Sequence, residues 1–152
     1  MAEYLKNDVQ LVAPNQPVVL TTSIGCPHGY VYHRPESGIL TLRGIVNNPT
    51  SCFARYQATF VANIALPPEG ATVGPIAVAL ALDGEPIATS RAIYTPAAVD
   101  EYGNVTCTAI IDVMRGCCMN LSVENVSEAV DATTPAPSIN VQNANLVVTR
   151  IA

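Results

Sequence analysis

The sequence predicts an all-β sandwich of about eight short antiparallel strands, and three observations carry that prediction. Runs of β-favouring residues recur between Gly, Pro and Asn breaks, and no stretch sustains a helical period. Residues 75–82 (PIAVALAL) alternate strictly, with Ile76, Val78, Leu80 and Leu82 on one side and Ala77, Ala79 and Ala81 on the other. The dipeptide Asp83-Gly84 follows at once, a strong signal for a tight hairpin. A length of 152 residues suits one domain with a real core.

The elements follow in order. Residues 1–17 mix polar and apolar groups and end in Pro14-Asn15-Gln16-Pro17, which reads as an extended arm, either disordered or docked on a neighbour. Residues 18–152 then form the domain. Strands are expected at 18–23, 29–33 and 38–46, the last stopped by Asn47-Asn48-Pro49. A long strand at 55–66 puts Phe60, Ile64 and Leu66 on one face and ends at Pro67-Pro68. Residues 85–94 return from the hairpin. Residues 104–114 and 117–126 form the next pair around Arg115-Gly116, and 131–137 are a Thr/Pro/Ala loop. The closing strand, 139–151, shifts its alternation near Asn143-Ala144-Asn145, which marks a bulge.

Charge points to self-association. Only 12% of residues are charged, against about 25% in an ordinary soluble domain. Residues 75–82 carry no charge on either face, whereas a strand in the wall of a solitary sandwich carries polar residues on one side. Surfaces depleted of charge are those that other subunits cover. Ala77, Ala79 and Ala81 are therefore the candidate interface between copies, their small side chains admitting close approach. The larger Ile76, Val78 and Leu80 are expected inside.

Several classes are disfavoured. The net charge is −5, and one lysine and six scattered arginines make no basic patch, so no nucleic-acid partner is expected. No apolar run approaches the roughly 20 residues of a membrane span, and residues 1–14 lack the pattern of a signal peptide. Five cysteines (Cys26, Cys52, Cys107, Cys117, Cys118), an odd count, argue against a disulfide framework. Their spacing matches no metal motif, and a site from Cys26, His28 and Cys117-Cys118 has no support in spacing.

Candidate ligand-binding residues lie on two loops. His28 and His33 sit in GCPHGYVYHRPESG, the most polar and individual stretch, with Ser23, Cys26, Glu36 and Ser37 nearby. Catalysis there would require His28, His33, Glu36 and a cysteine to converge, and nothing in the spacing specifies a triad. Asp100 and Glu101 form the only acidic doublet, without the D-x-D-x-D-G pattern of a calcium loop. No phosphate loop, nucleophile elbow or H-E-x-x-H is present. The expectation is a non-enzymatic protein with no cofactor and no metal. Three N-x-S/T triplets, at Asn104, Asn120 and Asn125, are read as ordinary strand-surface residues.

The order of segments resembles the complement-globular-head and tumour-necrosis-factor-like superfamily, in particular its short bacterial and phage members. The carriers are GILTLRG (38–44), ARYQATFVANIAL (54–66), PIAVALALDGEPI (75–87), IIDVMRGCCMNLSVEN (110–125) and INVQNANLVVTRI (139–151). The chain departs from the family pattern at Cys117, where an acidic residue usually follows the turn glycine, and in having few aromatics. The resemblance implies an all-β jelly-roll β-sandwich of eight to ten antiparallel strands packed as a homotrimer, with a binding or structural duty. It further suggests a phage virion component, a capsid decoration or head-fibre protein anchored on a capsid partner through residues 1–17. The other expectation is a bacterial cell-surface or spore-surface adhesin that binds a glycan or protein.

Overall fold

The computed structural model describes residues 1–25 and 29–152. Two six-stranded antiparallel sheets face each other. The first has the order β10 (Gly103–Met114), β6 (Phe53–Ala65), β12 (Ile139–Arg150), β1 (Ala2–Lys6) and β3 (Thr22–Ile24), with β2 (Gln10–Val12) also on β12. The other has β4 (Val31–His33), β5 (Leu40–Arg43), β11 (Cys118–Asn125), β7 (Ile76–Leu82) and β8 (Glu85–Pro86), with β9 (Ala92–Tyr94) also on β7. Among the described residues no helix is long and apolar enough to cross a membrane.

The core forms between the sheets because alternate residues of every long strand point inward. Strand β6 contributes Tyr56, Phe60 and Ile64, β7 Ile76, Val78 and Leu80, and β12 Val141, Leu146 and Val148, all buried in one cluster. The larger side chains of β7 do face the interior, as its alternation predicts. Each such aliphatic or aromatic residue contributes about 1.5–3 kcal/mol on burial. Tyr56 is wholly buried, and its hydroxyl donates to the Arg43 carbonyl at 2.5 Å, satisfying the one polar atom it carries inward.

The turns follow their residue chemistry. Asp83 and Gly84 both take positive φ, 50° and 84°, the pair of left-handed residues that a two-residue hairpin demands. Asn143 (φ 55°) sits in the register shift between Gln142 and Asn145, the position of the bulge that the alternation of β12 predicts. The expected strand at 85–94 is broken into β8, a 3₁₀ turn at Ala88–Ser90, and β9. Buried Ser90 makes the break, its hydroxyl hydrogen-bonding the Leu80 amide at 3.0 Å and the Ile87 carbonyl at 2.7 Å.

Residues 1–17 differ most from expectation, since they are not a free arm. Strand β1 pairs with β12 along its length, Ala2 opposite Val148 and Lys6 opposite Ala144. Tyr4 and Val12 are core residues, each 3% exposed. The Pro14–Pro17 stretch is tied to β11, where the Asn15 amide donates to the Asn125 carbonyl at 2.8 Å. Just beyond it the Val18 amide donates to the Val123 carbonyl at 2.7 Å. The physical reason is that β12 is long and would otherwise present a bare edge.

Candidate binding surfaces

Three regions bear on function: the outward faces of the two sheets, the loops around His33 and Asp100, and the clefts at the ends of the sandwich.

Ala77, Ala79 and Ala81 lie on the side of β7 turned from the core, opposite Ser122 and Glu124 of β11, which pair with Ala81 and Ala79. They are at most 1% exposed within a single copy, so they offer no surface to another one. The cover comes from the chain itself. Arg91, beside one edge of β7, reaches Glu128 at 3.0 Å and the Val126 carbonyl beyond the other edge, so its side chain lies across Ala77. Alanine is small there to let that arginine pass. The burial also pushes the Glu124 carboxyl above the usual carboxylate range.

The outward face of the first sheet is different. Register puts Ile110, Gln57 and Thr149 in one row, then Thr108, Thr59 and Val147, then Thr106, Val61 and Asn145. These nine residues carry no charge, and Ile110 is 57% exposed. Asn104, Asn63 and Asn143 form an amide ladder across the strands, each step 3.2 Å, which continues to Asn7. Charged groups stand at the borders. Arg55 and Asp112 pair in two-pronged fashion at 2.7 and 2.8 Å near one end, and Glu3 is held by Asn145 at 2.6 Å on the β1 side. The exposed neutral surface is therefore on this sheet, whereas the alanines of β7, expected at an interface, are buried within one copy and present none.

His33 lies in β4, at the sandwich edge. Its Nε2 donates to the Ser37 carbonyl at 2.9 Å, so its Nδ1 accepts from the Ser23 hydroxyl at 2.8 Å. Its ring packs on Tyr4 with centroids 5.0 Å apart. The histidine thus straps β3 of one sheet to β4 of the other. Both ring nitrogens are engaged in that strap, and no carboxylate orients them among the described residues. His28 and Cys26 lie outside the described residues. Asp100 and Glu101 form the exposed turn into β10, Asp100 with φ 59° and its amide donating to Leu66. They stand at the end where β6 finishes, well away from His33, so the structure does not assemble the two loops into one site. Among the described residues no three His, Cys, Asp or Glu side chains are placed to hold a metal ion. Cys107 is buried, and burial pushes its thiol up to about 11. Cys52, Cys117 and Cys118 are exposed and unbridged.

Sequence reasoning passed over the cleft at the opposite end, where β5 leaves its sheet and β12 finishes. Its volume is about 720 Å³, and Tyr30, Arg43, Gly44, Asn47, Asn48 and Arg150 are among its lining residues. The signal available in the sequence was weak: two arginines on strands distant in the chain, with no acidic neighbour.

No protein-family model matches the chain, and no curated protein sequence matches it. Solved structures do. The globular domain of the zebrafish complement 1qA protein aligns over 96% of this chain and 94% of its own, with a TM-score of 0.57 and 14% identity. The Eiger TNF of S. frugiperda aligns over 100% of this chain and 92% of its own, with a TM-score of 0.66 and 11% identity. Across nearly its whole length, then, this chain has the tumour-necrosis-factor-like jelly-roll fold shared by those two domains.

Proposed function

We propose that this chain is a non-enzymatic, homotrimeric structural or binding head of a phage particle, a capsid decoration or head-fibre protein. The observation that carries the reading is the outward face of the first sheet. It is neutral across its central rows, built from Thr, Asn, Gln and Val, and bordered by charge. Neutral, partly apolar strand faces of this kind suit burial between copies, and the fold resemblance implies the threefold arrangement. The contact with a larger particle then falls on what residues 1–17 leave exposed, among them Val9, in the turn after β1, and Leu11, on β2, 48% and 65% exposed.

Light scattering on the purified chain tests the assembly. A particle three times the 16.0 kDa chain is expected at micromolar concentration. Val61→Arg, on β6 in the middle of that face's three strands, is expected to release folded single copies. A wild-type chain that stays solitary and folded would overturn the trimer. Finding the protein in purified virions tests the particle assignment separately, and its absence from them would overturn that part alone.

A further inference from the structure

We propose that the cleft between the end of β5 and the end of β12 binds an acidic sugar, its carboxylate held by Arg43 and Arg150. Arg55 and Arg91 are already paired, with Asp112 and Glu128. Arg43 and Arg150 pair with no Asp or Glu among the described residues, and both line this cleft, whose described lining holds no Asp or Glu. In a chain of net charge −5 that convergence is not a general property of the surface. A guanidinium offers a planar fork of donors that fits a carboxylate or phosphate two-pronged.

One donor and the backbone that carries the other are held in place before any ligand arrives. The Arg150 guanidinium stacks on the Tyr30 ring at 3.9 Å, and its Nε donates to the Ala152 backbone oxygen at 3.1 Å, which leaves its Nη end to the cleft. Arg43 is fixed through its backbone: its amide donates to the Tyr30 carbonyl at 2.9 Å, and its carbonyl accepts from buried Tyr56. Next to it Gly44 crosses so close to the chain that a Cβ would lie 2.3 Å from the Met114 carbonyl oxygen. That crossing fixes the floor of the cleft.

The rest of the lining favours a sugar over a bare ion. Asn48 accepts from the amide and hydroxyl of Thr50 at 3.0 and 2.7 Å through Oδ1, so its NH₂ remains as a donor. Asn47 and the Tyr30 hydroxyl add groups suited to sugar hydroxyls. The volume, about 720 Å³, lies within the roughly 300–1,000 Å³ of small-molecule sites. Free phosphate would leave most of that space and those amides unused. One copy supplies every group named, so binding here is independent of the trimer.

The test is a titration of the full-length chain with D-glucuronate, followed by amide NMR shifts, with D-glucose and inorganic phosphate as parallel arms. Glucuronate is expected to saturate shifts at Gly44, Asn47 and Asn48. Glucose, lacking the carboxylate, and phosphate, lacking the ring, are each expected to bind about tenfold more weakly or worse. Arg43→Gln and Arg150→Gln are each expected to weaken glucuronate about tenfold, while Arg91→Gln leaves it unchanged. Arg43 is exposed and makes no side-chain contact that folding needs, so its variant keeps the test valid if Arg150→Gln misfolds. No saturation by glucuronate, phosphate as tight as glucuronate, or full binding in Arg43→Gln would each overturn the proposal. Light scattering on the same samples reads the trimer independently.

Discussion

The two sheets turn very different faces outward, and a period-two pattern does not tell them apart. On β7 every residue from Ile76 to Ala81 is buried, on both faces, inside one copy. On β6 the inward residues are buried and the outward ones, from Arg55 through Val61, remain partly or fully exposed. In sequence β7 has the character of an interface, because Ala77, Ala79 and Ala81 are uncharged and small. In the fold that face is buried within one copy, and at Ala77 the chain's own Arg91 reaches over to Glu128. Strand β6 has the character of an ordinary wall, because Thr, Gln and Asn are interleaved along it. In the fold it lies at the centre of the broad neutral surface. Absence of charge on a strand therefore does not by itself mark a surface for another copy, since on β7 it goes with local cover, and only three-dimensional placement tells an exposed neutral face from a covered one.

An arginine placed on each face should have opposite consequences. Ala79→Arg inserts a long cation where there is no exposed surface and Glu124 is the nearest row partner. It is expected to cost more than about 4 kcal/mol, the range of buried charge and overpacking, and to leave insoluble or unfolded protein. Val61→Arg is expected to cost a single copy about 0.5 kcal/mol, as surface substitutions do, while abolishing assembly. Thermal melts with light scattering on both variants check this. Soluble, folded single copies from Ala79→Arg would return the interface to β7.

Ser90 sharpens the account of why β7 is sealed. Its hydroxyl serves the Leu80 amide and the Ile87 carbonyl, where the return strand breaks into a 3₁₀ turn. Ser90→Ala leaves that buried amide without a partner. The expected loss is about 2 kcal/mol, roughly 4–8 °C in Tm for a domain of this size, with assembly unchanged. Circular dichroism melts measure it, and a Tm within a degree of wild type would show that water replaces the hydroxyl.

Much of the fold was legible in the sequence because its signals are local. The Asp83-Gly84 hairpin, the bulge at Asn143 and the inward set Ile76, Val78 and Leu80 each rest on a few adjacent residues. What was hidden is non-local. Tyr4 enters the core only because β1 finds β12, from the other end of the chain. The broken return strand depends on Ser90 meeting Leu80. Of the residues singled out for binding, His33 became a strap between sheets through Ser23 and Ser37, and Asp100 and Glu101 stayed apart on a turn. Arg43 and Arg150 carried no motif, and their meeting depends on two strand ends brought together by the sandwich.

The smallest expected effect comes from Glu124, which tests how dry the sealed face is. Burial beside Ala79 raises its pKa above the ordinary 4.5, with Glu85 adding repulsion and the Ser122 hydroxyl opposing both. In the folded protein this carboxyl holds its proton more tightly than in the unfolded chain. Stability contributed by the protonated form is thus complete below about pH 4.5 and declines as pH rises through the raised value. Glu124→Gln removes that slope. The variant is expected to match wild type near pH 4 and to exceed it slightly at pH 7, by less than the Ser90→Ala loss. Denaturant melts of the pair across that range measure the difference. A wild type that instead tracks the glutamine variant at every pH would mean the carboxylate is solvated, and that the face of β7 is open after all.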